Sequence, residues 1–300
     1  MLESINTVFE NLSIVFQSSP WLFYASTLFL GLCVGSFLNV VAYRLPVMME
    51  RDWKRECHEF LELEQAESDK DLLSLNLATP ASACPHCGHK LHFWENIPII
   101  SYLFLKARCS SCGAKISIQY PLVELLTGIT SLLVAERFGV SMQTVAALCF
   151  TWVLIALTLI DLKKQLLPDN MTLPLLWGGI FISFSGLFTD LKSSVIGAMA
   201  GYLILWFVYH LFKLLTRKEG MGFGDFKLLA ALGAWAGFSY LPQIILVSSI
   251  VGSIVGISML LTGRTGRQQP IPFGPYLAVA GWIALLWGEA INTSYFNFIS

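Results

Sequence analysis

Long runs of apolar residues alternate with short polar segments over most of the chain. Runs of roughly 20 residues match the length that an α-helix needs to cross a bilayer. We therefore predict an all-α polytopic membrane protein with about eight transmembrane helices. The predicted spans are 21–43, 120–138, 142–160, 171–189, 194–214, 226–239, 241–262 and 273–293. The sixth is short and contains Gly233 and Gly237, which is typical of a tilted or broken helix.

One polar segment, 44–119, interrupts this pattern after the first span. It carries nearly half of the 19 Lys and Arg and the 20 Asp and Glu residues. Within it, 47–75 has the spacing of an amphipathic helix. We predict three parts: an external N-terminus with the first transmembrane helix (1–43), a cytoplasmic domain (44–119) and a transmembrane core (120–300).

The composition agrees with a membrane protein. Hydrophobic residues make up 55% of the 300 residues, and charged residues make up 13%, against about 25% in soluble domains. The mean hydropathy is +0.64. A net charge of −1 provides no basic field for nucleic acid. These values exclude an ordinary soluble globule, a disordered chain and a disulfide-rich secreted domain.

The positive charges predict an orientation. With eight spans, all Lys and Arg residues except Arg137 and Lys192 belong to loops on one side. Lys and Arg concentrate on the cytoplasmic side of membrane proteins, so 44–119 is predicted to be cytoplasmic and both termini external. No Lys or Arg precedes Arg44, which favours a retained first helix over a cleaved signal.

Four of the 7 cysteines form two CxxC pairs, Cys84 with Cys87 and Cys109 with Cys112. Two such pairs at this spacing are typical of a zinc ribbon, in which four thiolates surround one Zn²⁺. A site with four cysteines has no open coordination position, so the zinc would be structural. An iron–sulfur cluster or an empty site are the alternatives. Disulfides are disfavoured in the reducing cytoplasm.

Two aspartates mark a candidate catalytic site. Asp161 closes the third predicted span and Asp225 opens the sixth, so both lie at the cytoplasmic side. Two adjacent carboxylates cannot both ionise cheaply. One would hold a proton while the other activates water for attack on a peptide carbonyl. Gly222 and Gly224 lack side chains and would let a substrate backbone approach Asp225.

Other interpretations of these aspartates stay open. Asp225 can be the N-cap of a helix after a glycine-rich turn. Asp161 can pair with Lys163 or Lys164 at the membrane surface. Paired aspartates also occur in non-enzymatic ion or proton pathways.

Several motifs, in order, resemble those of the bacterial type IV prepilin peptidases, which are membrane aspartyl proteases of the GxGD type. They are 35–40 with 43–46, the two CxxC pairs, 95–98, 119–124, Asp161 with 167–169, and 220–227. The resemblance covers nearly the whole chain. GxGD alone is a weak motif, but this ordered set is specific.

The resemblance implies an enzyme of the bacterial inner membrane with Asp161 and Asp225 as catalytic residues and Cys84, Cys87, Cys109 and Cys112 as zinc ligands. Members cut the leaders of type IV prepilins and type II secretion pseudopilins after a glycine at the cytoplasmic face. Many then methylate the new N-terminal residue with S-adenosylmethionine. A peptidase-only relative with another membrane substrate is the alternative. The motifs assign no residue to S-adenosylmethionine and no oligomeric state.

The sequence departs from the family pattern at one position. Members often carry Gly followed by Lys or Arg before the third cysteine, a position associated with methylation. Here the residues are Ala107 and Arg108. The Cβ of alanine disfavours positive φ. Methyl transfer is therefore expected to weaken, with proteolysis kept, if the backbone needs such a conformation here.

Overall fold

The computed structural model describes residues 14–61, 75–262 and 272–299. The main helices in these residues are α1 Pro20–Phe60, α2 Ile100–Phe104, α3 Gln119–Phe138, α4 Met142–Lys164, α5 Asp169–Ser183, α6 Leu191–Thr216, α7 Phe223–Ala236, α8 Leu241–Leu261 and α9 Gly274–Ile299. Residues 14–18 are also helical, and short 3₁₀ helices cover Phe93–Asn96 and Phe238–Tyr240. Two isolated antiparallel bridges lie in the cysteine segment. The predicted all-α fold is confirmed.

Five helices in the described part of the chain are long and apolar enough to cross a membrane. They are Pro20–Phe60, Met142–Lys164, Leu191–Thr216, Phe238–Met259 and Gly274–Ser294. The other three predicted spans coincide with α3, α5 and α7. α7 has 14 residues, which rise about 21 Å, less than the roughly 30 Å of the hydrocarbon core. The count of eight transmembrane helices stays a prediction.

α1 extends further than the predicted first span. It has 41 residues and continues through Pro46 to Phe60, where the sequence predicted a span ending at 43 and a separate helix over 47–75. Proline removes one backbone donor from the helix ladder, and the rest of the ladder carries the helix past it. At 1.5 Å per residue α1 is about 62 Å long, twice the hydrocarbon thickness. Residues 1–13 and 62–74, on which parts of these predictions depend, lie outside the described residues.

The chain divides into two compact units, residues 1–148 and 149–300. The boundaries predicted at 43/44 and 119/120 stay a prediction. In the first unit, α1 packs against α3 through small residues. A Cβ on Gly31 would lie 2.7 Å from Ser131 Oγ, and one on Gly35 would lie 2.7 Å from Glu124 Cα. Small residues of this kind let helix backbones approach closely.

α7 forms the core of the second unit. Its residues from Leu228 to Ala236 are all buried, and α5, α6 and α9 contact it. Gly197 of α6 packs directly against the backbone of Gly233. The Trp235 indole N–H donates to the Leu175 carbonyl of α5 at 2.7 Å. These contacts fix α7, which carries Asp225 at its N-terminal end.

Candidate active site and metal centre

Asp161 lies in the last turn of α4 and is buried. Gln165 ends this helix with a left-handed φ of +53°, and its backbone N–H donates to the Asp161 carbonyl at 2.9 Å. In the described residues, the Asp161 Oδ2 atom is buried and accepts no hydrogen bond. Among the described residues, Asp161 forms no ion pair with Lys163 or Lys164. One carboxyl oxygen is therefore left for a proton or a water molecule.

Asp225 lies in the first turn of α7 and is also buried. Gly222 is the N-cap of this helix, and the Asp225 N–H donates to the Gly222 carbonyl at 3.2 Å. Asp225 is therefore the third helical residue and not the N-cap that the alternative interpretation required. An acidic group in the first turn interacts favourably with the helix dipole.

The two aspartates lie near each other within the second unit. Gly274, at the start of α9, contacts Asp161: a Cβ there would lie 2.6 Å from Asp161 Oδ2 and 3.2 Å from Leu167 Cδ1. Leu167 in turn contacts Gly224, the neighbour of Asp225. The structure thus brings together the two carboxyl groups that the sequence singled out.

The two glycines before Asp225 have different surroundings. A Cβ on Gly224 would lie 2.7 Å from Leu167 Cβ, so the space beside Gly224 is filled by this chain. A Cβ on Gly222 would meet only Asp225 Oδ2, at 3.9 Å. The space beside Gly222 is therefore open among the described residues, whereas Leu167 packs against Gly224. A role of the two glycines in substrate approach stays a prediction.

An ion pair near the aspartates joins α7, which carries Asp225, to α5. Lys227 Nζ lies 2.7 Å from both carboxylate oxygens of Asp169. Asp169 is the first residue of α5, and Lys227 follows Asp225 by two positions in α7. Both side chains are partly exposed. This contact fixes the first turn of α7 against α5.

The sequence analysis missed Gly274, Leu167 and Lys227 as neighbours of the site. Gly274 is remote from Asp161 in the sequence, and an isolated glycine gives no signal about the side chain it will face. Lys227 was visible inside the motif at 220–227. Only the pairing of Lys227 with Asp169 explains a lysine at this point.

The four predicted cysteines form one cluster in the first unit. Their sulfur atoms all lie within 4.8 Å of one another. Cys84 Sγ is 3.8 Å from Cys112 Sγ, and Cys87 Sγ is 4.0 Å from Cys109 Sγ. A regular tetrahedron with Zn–S distances of about 2.3 Å has sulfurs about 3.8 Å apart. The residues therefore fit a metal ion bound by four thiolates.

The two halves of this cluster have the same backbone construction. Gly88 and Gly113 directly follow the second cysteine of each pair, with φ of +71° and +70°, a conformation that glycine adopts at no steric cost. Each glycine N–H donates to the carbonyl of the first cysteine of its pair. Hydrogen bonds from the backbone N–H groups of His86 and Cys87 lower the pKa of Cys84 to about 7. Such N–H groups favour the thiolate form that binds metal.

A second polar cluster lies beside the first, formed by His89, His92 and Glu95. The Glu95 carboxylate accepts the His92 backbone N–H at 2.8 Å and lies 3.3 Å from His89 Nε2. Hydrogen bonds from the Ser110 hydroxyl and the His92 N–H lower the pKa of Glu95 to about 2. Glu95 thus connects the segment after the first cysteine pair to the second pair.

Ala107 adopts the conformation that the family glycine permits. Its φ is +59°, and that of Lys106 is +50°. The Ala107 N–H donates to the Tyr102 carbonyl at 2.9 Å, and its carbonyl accepts the Ile116 N–H at 2.8 Å. These bonds hold a non-glycine residue in a left-handed conformation that costs about 1–2 kcal/mol.

Two family models match the chain. The Bacterial Peptidase A24 N-terminal domain matches residues 29–138, and the Type IV leader peptidase family matches residues 148–257. The first match contains the cysteine cluster and the second contains Asp161 and Asp225. No solved structure matches the chain.

Curated relatives match over nearly their full length. The prepilin leader peptidase/N-methyltransferase of Pseudomonas aeruginosa is 55% identical over 94% of this chain and 96% of its own. Those of Aeromonas hydrophila and Legionella pneumophila are 53% and 44% identical, each over 93% of this chain and 96% of their own. With such identity over almost the entire length, the chain belongs to the type IV leader peptidase family.

Proposed function

We propose that this protein removes the leader peptides of type IV prepilins and methylates the new N-terminus. The proximity of Asp161 and Asp225 at the ends of α4 and α7 carries the proposal. The names of the curated relatives support both activities. We extend the substrates to type II secretion pseudopilins, as the family resemblance implies.

The geometry supports an aspartyl protease mechanism. One carboxylate takes a proton from a water molecule, and the oxygen of that water attacks the carbonyl carbon of the scissile bond. The other aspartate, protonated at the start, gives its proton to the leaving nitrogen as the C–N bond breaks. Gly222 leaves open space beside Asp225, where an extended substrate backbone can lie.

We further propose that cleavage occurs after a glycine at the cytoplasmic face of the bacterial inner membrane. The distribution of Lys and Arg supports this orientation, with the cysteine domain (44–119) cytoplasmic and both termini periplasmic. The pilin substrate is itself a membrane-inserted chain, so the surrounding lipid is part of its route to the site.

Cys84, Cys87, Cys109 and Cys112 would hold one Zn²⁺ with a structural role. The sulfur positions fit tetrahedral coordination, and four protein ligands leave no place for a substrate. The metal would lock the two glycine-terminated turns together. These residues therefore build the domain and take no part in peptide cleavage.

For methylation, S-adenosylmethionine would supply the methyl group: the α-amino nitrogen forms a bond to the methyl carbon as the S–C bond breaks, S-adenosylhomocysteine leaves and the nitrogen loses a proton. Ala107 lies in the domain that carries the cysteines, at the position associated with methylation in the family. Its backbone already has the left-handed conformation, at a cost that glycine would avoid. We therefore propose that methylation is retained, at a lower rate than a glycine at this position would allow.

The test is cleavage of a prepilin with a basic leader, a Gly-Phe junction and a following apolar helix, with labelled S-adenosylmethionine present. Asp161→Asn and Asp225→Asn should each abolish cleavage, because asparagine has the same size but can neither act as a base nor share the proton. The double variant should be no worse than either single one, because the pair acts as a unit. Asp190→Asn is the matched control, since asparagine keeps the N-cap of α6 that Asp190 provides.

Appreciable cleavage by either aspartate variant would contradict the mechanism. Cleavage by the unmodified protein without label on the product would support a peptidase-only enzyme. Aspartate-dependent proton flux in liposomes, with no leader processed, would replace the proposal with a transport function.

A further inference from the structure

The first unit contains a cavity of about 270 Å³ whose lining includes neither of the two aspartates. One wall is a face of α1 that includes Ser36, Val40 and Arg44. The other walls come from the segment before the first cysteine pair, with Ala78 and Pro80, and from Asn96 at the 95–98 motif. Residues of the motif 35–40 with 43–46 and of the motif 95–98 therefore line the same cavity. The aspartyl protease mechanism assigns no role to this cavity.

Arg44 makes this cavity unusual. Its side chain lines the cavity although the residue is only 8% exposed. Its Nη1 and Nη2 atoms donate to the carbonyls of Asn76 and Pro80 at 2.9 and 2.7 Å. No carboxylate pairs with it among residues 14–61, 75–262 and 272–299. Buried charges in proteins are normally paired, so the guanidinium side of the cavity favours an anionic ligand.

The backbone directly after the cavity-lining residues Asn96 and Pro98 is strained. Ile99 follows the 95–98 motif with φ of +60°, which is rare for a β-branched residue. The buried Glu124 carboxylate of α3 accepts the Ile99 N–H at 2.7 Å and stabilises this backbone. Strained backbone of this kind persists where the surrounding structure enforces it, and it clusters at ligand sites.

We propose that this cavity binds the methyl donor S-adenosylmethionine, with its α-carboxylate on Arg44. This inference rests on the methylation part of the proposed function. The amino-acid end of the donor is a zwitterion, and Arg44 with the Pro80 carbonyl offers a cation beside an acceptor for an ammonium group. The ring of Phe37 also lines the cavity, and aromatic faces attract cations such as a sulfonium.

The alternative anion is the phosphate of a phospholipid headgroup. The carbonyl oxygens beside the guanidinium favour a ligand that carries an ammonium group next to its anion, as the amino-acid end of S-adenosylmethionine does. The headgroup of phosphatidylglycerol has a phosphate but no ammonium group to bind these carbonyls. The volume lies just below the roughly 300–1,000 Å³ of small-molecule sites. It suits the amino-acid end of the donor, with the nucleoside extending beyond it.

The test compares equilibrium binding of S-adenosylmethionine and decarboxylated S-adenosylmethionine to the purified full-length protein. The unmodified protein should bind S-adenosylmethionine about 10- to 100-fold more tightly, the range for a hydrogen bond to a charged group. In Arg44→Gln this preference should disappear, because the affinity for S-adenosylmethionine falls while that for the decarboxylated analogue is kept. Zinc content, which depends on the cysteine cluster in the same unit, reports that the first unit of the variant is folded.

Arg51→Gln is the matched control. Arg51 lies on the same helix, pairs with Asp52 and donates to the Leu75 carbonyl at 3.0 Å, so it holds the same segment without lining the cavity. This variant should keep the preference. Ala78→Phe places a ring in the cavity from an exposed loop position and should weaken the binding of both ligands, which tests the site even if Arg44→Gln does not fold.

Three results would overturn the inference. If the unmodified protein binds both ligands equally, or Arg44→Gln keeps the preference, Arg44 does not hold the carboxylate. If Arg44→Gln instead loses affinity only for vesicles containing phosphatidylglycerol, the anion is a lipid phosphate. Cleavage and methylation by the unmodified protein would leave the proposed function intact in each case. If the unmodified protein neither methylates the product nor binds S-adenosylmethionine, the methylation part of the proposed function and the binding site at Arg44 are both refuted.

Discussion

Lys227 holds Asp169 through both carboxylate oxygens, each 2.7 Å from its ammonium nitrogen. The contact joins the first turn of α7, which contains Asp225, to the first residue of α5. Side chains of this ion pair are 28% and 55% exposed. We therefore expect this ion pair to position the start of α7, with Asp225, and to contribute little to the stability of the protein.

We expect Lys227→Met to reduce leader cleavage about 10- to 100-fold, because small displacements of a catalytic group have effects of this size. The free energy of unfolding should change by less than about 1 kcal/mol, since exposed ion pairs contribute little. Kinetics and thermal denaturation of the same preparation check both values. Glu219→Gln, which removes the exposed pair of Lys213 and Glu219, is the control and should leave cleavage unchanged. A destabilised Lys227→Met protein with normal cleavage would refute the positioning role.

Gly274→Ala should abolish or strongly reduce cleavage. The new methyl group would lie 2.6 Å from Asp161 Oδ2 and must displace the carboxyl group. Gly178→Ala is the matched control, because its methyl group would meet only Trp235 Cζ2 at 3.9 Å and alanine favours a helix interior. Single-turnover cleavage of a prepilin measures both variants. Equal activity of the two would show that Asp161 does not need its observed position.

Cys84→Ser should lose most of the bound zinc, because three thiolates and a hydroxyl form a weaker tetrahedral site. Cys57→Ser, at an exposed cysteine outside the cluster, should keep full occupancy. Metal analysis of the purified proteins gives the stoichiometry. A full zinc content in Cys84→Ser would exclude the site with four thiolates.

Ala107→Gly should stabilise the cysteine domain by about 0.5–1 kcal/mol, because relief of the positive φ exceeds the added backbone entropy. We expect zinc release to need a higher temperature and the ratio of methylation to cleavage to rise. Ala114→Gly is the control. It lies in the same segment without a positive φ, so glycine should destabilise there. If Ala107→Gly and Ala114→Gly change zinc release and the ratio of methylation to cleavage equally, the positive φ of Ala107 does not affect methylation.

The sequence by itself determined the helical fold class, the four cysteines of the metal site and the two aspartates of the candidate active site. Apolar runs predict helices because the bilayer sets their length, and CxxC pairs predict a metal cluster because each turn presents two sulfurs locally. Asp161 and Asp225 stood out because ionisable groups at the ends of apolar runs are rare. The end of α1 was predicted wrongly, since the apolar run that marks the first span ends at 43, whereas the helix continues to Phe60.

Only the tertiary structure decided which remote residues meet. Gly274 faces Asp161 although it has no local signature, and Leu167, which belongs to the motif 167–169, fills the space beside the remote Gly224. The buried position of Arg44 at a cavity depends on packing between α1 and two separate loops. Periodicity and spacing report interactions within a few residues, whereas these contacts follow from how the helices of each unit pack. The chemistry of the groups is therefore readable from the sequence, and their juxtaposition is a property of the fold.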